Sequence, residues 1–108
     1  MLPKSKRLNL KKDFKWVASG KKIDTKFATI FLKMGQNSFP KVGVATSLRY
    51  FKKATERNRA KRVISQACEK LYPKLPDNIN IVVLPKVAAL GVKSQDVLSD
   101  LEKALINI

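Results

Sequence analysis

The sequence predicts an α+β domain, a two-layer α/β sandwich, and three stretches carry that expectation. Phe27–Met34 alternates like a strand, Thr55–Tyr72 repeats apolar residues at helical spacing, and Ile79–Leu84 is a nearly continuous apolar run. Around them the order reads helix, two or more antiparallel strands, long helix, strand, helix. At 108 residues, with no repeat and no low-complexity linker, the chain is expected to be one domain spanning 1–108.

Residues 1–8 form a basic lead-in with Lys4, Lys6, Arg7 and a proline but no periodicity, and are expected to stay flexible. Asn9 can cap a short helix that places Leu10, Phe14 and Val17 on one side, and Gly20 ends it. Phe14 and Trp16 lie about 200° apart on such a helix, so one face cannot bury both. Either an aromatic stays exposed among Lys11, Lys12 and Lys15 and can stack on a base, or both pack at different edges of the sheet. In Phe27–Met34, Phe27, Thr29 and Phe31 share one face and Ala28, Ile30 and Leu32 the other. After a turn over Gly35–Ser38, Lys41–Thr46 reads as a strand with Val42 and Val44 inward and Gly43 and Ala45 opposite. The small residues leave room for a shallow cleft or for a close-packed helix. A connector carrying Arg49, Lys52 and Lys53 then leads into the long helix.

Thr55 is the expected N-cap of that helix, Glu56 suits its positive end, and Pro73 stops it. Ala60, Val63, Ile64, Ala67, Cys68 and Leu71 form an apolar stripe, and Asn58, Arg59, Lys61 and Arg62 point away from it. Arg57 falls near the stripe, so either its stem lies along the core edge or it overhangs toward a partner. Four cations in six residues, with no acid after Glu56, repel one another and call for a polyanionic partner. Beyond Ile79–Leu84 and Pro85, Ser94 is expected to cap a last helix with Val97, Leu98, Leu101, Ala104, Leu105 and Ile108 inward.

Net charge is +15, and its distribution is uneven. Residues 1–62 hold 18 of the 23 Lys/Arg and 3 of the 8 Asp/Glu, while residues 63–108 hold five of each. The whole excess therefore precedes Val63, as in a protein that binds nucleic acid or an anionic surface. The single cysteine excludes a disulfide framework, and the lack of His removes the commonest general base. No apolar run is long enough to span a membrane, so a cytoplasmic protein is expected. The acids lack paired spacing, and the glycines at 20, 35, 43 and 91 are too scattered for a phosphate loop. Asp96, Asp100 and Glu102 read as a solvated face, not a metal site.

The motif Arg57-Asn58-Arg59-x-Lys61-Arg62 after a basic loop, with Asp13-Phe14-x-x-Val17 and Gly20 upstream, resembles the protein subunit of bacterial ribonuclease P. Size and element order agree along the whole chain. The resemblance implies the order αβββαβα, a sheet of about four strands and a left-handed βαβ crossover. It implies that Arg49, Lys53, Arg57, Asn58, Arg59, Lys61 and Arg62 contact the catalytic RNA, and that Phe14, Ala28 and Ile30 line a cleft for the 5′ leader of precursor tRNA. It also implies Mg2+ held mainly by the RNA, no catalytic residue in the protein, and a monomer within the holoenzyme. Leu48, Ser65 and Ala18 depart from the family pattern. The alternatives are a structural RNA-binding protein of ribosomal type and a membrane-surface module. The second fits poorly, since the apolar residues beside the lysines form core stripes instead of an exposed face.

Overall fold

The computed structural model describes residues 6–46 and 51–105. The elements are α1 (Leu10–Ala18), β1 (Lys21–Asp24), β2 (Ala28–Met34), β3 (Lys41–Val44), α2 (Ala54–Leu71), β4 (Ile79–Pro85) and α3 (Ser94–Leu105), with single 3₁₀ turns at Tyr72–Lys74 and Val87–Gly91. The expected α+β order is thus present, with a four-stranded sheet ordered β1-β2-β4-β3.

Three features were not given by residue pattern alone. Strand β1, Lys-Lys-Ile-Asp, carries one apolar residue and no alternation, so only its antiparallel pairing with β2 defines it. Strands β2 and β3 are not partners: β4 lies between them, antiparallel to β2 and parallel to β3. Helix α2 starts at Ala54, with Lys53 in the cap position, extended and without a side-chain cap bond, so Thr55 is inside the helix. The Arg57 guanidinium fixes this end instead, donating from Nη1 to the carbonyls of Phe51 (3.0 Å) and Lys52 (3.2 Å). Phe51 itself is fully buried.

The sheet carries a core on each face. Ala28, Ile30 and Leu32 of β2, Val42 of β3, and Ile79, Ile81 and Val83 of β4 pack under α2 and α3, against Ile64, Ala67, Cys68, Leu71, Val97 and Leu101. A smaller cluster on the other face joins Leu8, Val17 and Val82, with Leu10, Phe14, Phe31, Ala45 and Leu84 against it. The expected flexible lead-in is ordered at Arg7 and Leu8, and residues 1–5 lie outside the described residues. Leu8 is buried, its N–H donates to the Val42 carbonyl (3.0 Å), and Arg7 bridges to Val42 in parallel. Leu8 is apolar and stands beside Gly43, which has no side chain to exclude it.

Asn9 caps α1 as expected, its side-chain oxygen accepting the Lys12 N–H. Gly20 follows that helix for a different reason than a left-handed turn, since no glycine among the described residues has positive φ. A Cβ there would collide with the Leu32 carbonyl oxygen and stand 2.9 Å from Lys33 Cβ. Because the obstacle is backbone, Gly20→Ala is expected to cost about 2 kcal/mol, within the range for forced overpacking. Gly91→Ala, where nothing lies within 4 Å of the added carbon, should stay within about 0.5 kcal/mol of the parent. Urea unfolding of both variants checks the pair.

Candidate nucleic-acid interface

Burying the α2 stripe turns its other side to solvent. Ala60, Ile64, Ala67, Cys68 and Leu71 are buried, whereas Asn58, Arg59, Lys61 and Arg62 are exposed. No described residue pairs with Arg59, Lys61 or Arg62, so their charges face outward uncompensated. Lys53 is exposed at the start of the same helix, and Arg49 lies outside the described residues. Arg57 stands apart from this set. It is half-buried, and two carbonyls occupy its Nη1, so part of its role is to hold the connector to the helix.

Two hollows flank the ridge. Asn58, Lys61, Arg62, Ser65 and Gln66 line a shallow one of about 310 Å³. A larger groove of about 610 Å³ runs between the segment Arg7–Lys11, strand β3 and α2. Its floor is apolar, formed by Leu8, Leu10, Val42, Val44 and Cys68, while Lys11 and Lys61 stand on opposite sides. Both openings left by Gly43 are therefore realised: Leu8 and Leu10 pack over it, and the groove runs alongside. Ser65, one of the departures from the family pattern, is buried in the groove wall. Burial pushes the Cys68 thiol up to about 12, so it is a neutral part of the floor at ordinary pH.

The second predicted surface is corrected by the strand alternation. Ala28 and Ile30 are fully buried under α2 and α3, on the face opposite Phe14. They share no cleft with it. Phe14 meets Phe31, ring centroids 6.5 Å apart at 61°, with Leu84 and Leu10 in the same cluster. Phe31 was accessible to sequence reasoning, since alternation already sets it opposite Ala28 and Ile30. What the sequence lacks is any mark of which β2 face meets the first helix. Trp16 projects from the far side of α1 and is 40% exposed, with the Lys33 ammonium 4.9 Å above its ring and its edge against Gly35. It neither stands free nor joins the core.

The carboxylates of α3 are engaged locally. Asp100 accepts the Phe27 N–H, Glu102 pairs with Lys74 at 3.0 Å, and Asp96 accepts the Lys93 N–H. Among the described residues no three His, Cys, Asp or Glu side chains gather as metal ligands, and no helix is long and apolar enough to cross a membrane.

The family model for ribonuclease P matches residues 2–108. The chain belongs to the ribonuclease P protein family. The protein component from a Picosynechococcus species is 33% identical over 106 residues, covering 97% of this chain and 91% of that protein. The component from Chlamydia muridarum is 38% identical over 109 residues, covering 96% and 90%. In fold, the chain is similar to the Thermotoga maritima RNase P protein, solved in complex with 1-(4-fluorophenyl)-2-thiourea. The TM-score is 0.80, with 23% identity and coverage of 94% of this chain and 99% of that one. Membership makes the chain the protein component of an endoribonuclease that processes tRNA as a ribonucleoprotein, with a ribonuclease P RNA as its partner.

The contrast within α2 is testable without RNA. Arg57→Ala removes a donor from two carbonyls and is expected to lower stability by about 1 kcal/mol. Arg59→Ala, on the solvated side, should leave it within about 0.5 kcal/mol. Thermal and urea unfolding of the two variants, side by side, measure the difference.

Proposed function

We propose that α2 docks on the ribonuclease P RNA through Lys53, Asn58, Arg59, Lys61 and Arg62, with Arg49 of the connector and the remaining donors of Arg57 contributing. The observation that carries this is a rigid helix whose cations face solvent with no acidic partner among the described residues. Such a face gains most from an array of phosphates. The surface at Phe14 and Phe31, flanked by the exposed lysines of α1, takes the single-stranded 5′ leader of precursor tRNA by stacking and charge. The protein acts in the cytoplasm, as one copy in the holoenzyme.

With no His and no nucleophile–base pair in the sequence, the protein's share of the reaction is electrostatic and positional. Mg2+ held mainly by the RNA would supply the activated water and the stabilisation of the leaving oxygen. The cationic helix reduces repulsion between two polyanions, and the aromatic surface holds the leader so that the scissile bond stays in place.

Binding to ribonuclease P RNA is therefore expected to weaken steeply with salt. Arg59→Ala and Lys61→Ala should each cost about 1 kcal/mol and lower the salt slope by about 1. Filter binding across a salt series checks this, and unchanged affinity in the double variant would exclude the helix face.

Reconstitution with the RNA subunit tests the second surface. The protein should tighten precursor tRNA more than mature tRNA and lower the magnesium requirement, and Phe14→Ala should erase most of the difference between the two tRNAs. Equal tightening of both substrates by the parent protein would remove the leader from this surface while leaving the helix assignment intact.

A further inference from the structure

We propose that the groove between the Arg7–Lys11 segment, β3 and α2 takes one unstacked nucleobase of a bound RNA, with the neighbouring phosphates on Lys11 and Lys61. The proposal rests on the RNA-binding function above and adds a site to it, since neither Phe14 nor Phe31 lines the groove.

Four features of the groove converge on a nucleotide in a single strand. Its volume, about 610 Å³, lies in the range of pockets that enclose one small organic group. Its floor of Leu8, Leu10, Val42, Val44 and Cys68 offers apolar contact to a flat ring and nothing to a bare anion. Lys11 and Lys61 stand on the two sides, and no acid among the described residues lines the groove, so a chain entering and leaving it meets a cation at each end.

The fourth feature is the free edge of the sheet. In a parallel pair, alternate residues direct both backbone groups to the neighbour and the residues between direct both away. The Ala45 N–H donates to the Val83 carbonyl, and the Val42 carbonyl, one residue out of phase, accepts from Leu8. Val44 is in phase with Val42, so its N–H and C=O face outward at the groove, and no described residue pairs with them. A donor and an acceptor set side by side match the edge of a base as they match another peptide. The cations on both flanks favour the base, because its chain carries phosphates.

The test uses the full chain and two short single-stranded RNAs of equal length, one with bases and one abasic, so that the phosphates are the same. In amide-resolved NMR titrations the base-bearing strand should shift the Val44 N–H and the abasic strand should not. Ser65→Leu, which fills the groove from its α2 wall, should reduce the affinity ratio of the two strands about tenfold in fluorescence anisotropy, roughly the contribution of one base. Phe14→Ala should leave the Val44 response in place. Equal Val44 shifts with both strands, or shifts produced only by a short acidic peptide, would overturn the assignment whether or not Ser65→Leu folds. If the parent protein supports cleavage with a ribonuclease P RNA yet shows the same Val44 shift with both strands, the groove assignment alone fails. If it binds neither strand nor that RNA, the RNA-binding function fails with it.

Discussion

Strand β4 is the constraint on which the other elements depend, because it is bonded along both edges and covered on both faces. It pairs antiparallel with β2 on one side and parallel with β3 on the other. Ile79, Ile81 and Val83 belong to the α2–α3 core, and Val82 and Leu84 to the α1 cluster. A slip of one residue would exchange those sets and bring Asn80 into the larger core. Asn80 instead donates to the Lys33 carbonyl and the Asn37 side chain, fastening the turn before β3 to the sheet. Tyr72, donating to the Pro40 carbonyl at 2.6 Å, ties the same turn to the end of α2.

That register governs where the charge goes. Helix α2 joins two neighbouring parallel strands, so it must lie over the sheet with its apolar stripe down. Four of the residues left outside the stripe, Asn58, Arg59, Lys61 and Arg62, then form one ridge beside β3. Strand β3 is an edge strand, and its outer side is only partly closed by Arg7 and Leu8. A cation from the start of α1, Lys11, and one from the middle of α2, Lys61, thereby reach a common groove although fifty residues separate them in sequence. Gly43 makes the approach possible, since an added Cβ would meet Leu10 Cδ2 at 2.8 Å.

What was legible in the sequence is what periodicity and charge encode. The two long strands, the three helices, the stripe on α2 and its cationic reverse side all follow from spacing, and the Arg57–Arg62 motif carries the family. Pairing was not legible. Nothing in Lys21–Asp24 distinguishes a strand from a charged loop, and the insertion of β4 between β2 and β3 is decided by long-range packing. The choice of Ala28 and Ile30 for the leader surface failed for a related cause: both faces of β2 are apolar, so alternation separates the faces without saying which helix covers each. Arg57 shows another limit. Its place near the stripe was visible, but its carbonyl partners, Phe51 and Lys52, lie just before the helix and outside any helix or strand.

The cationic ridge also bears on how the fold tolerates its function. Like charges spaced three and four residues apart destabilise an isolated helix, and α2 gains no cap bond from Lys53 to offset them. Its stability comes from the buried side, where Ala60, Ile64 and Ala67 are fully enclosed, and from Arg57 binding the connector. Cations held this way cannot relax apart by unwinding the helix. Their repulsion is present in the free protein and, in the docking proposed above, would be relieved when phosphates replace solvent around them, so part of the RNA affinity would originate in the folding of the core beneath.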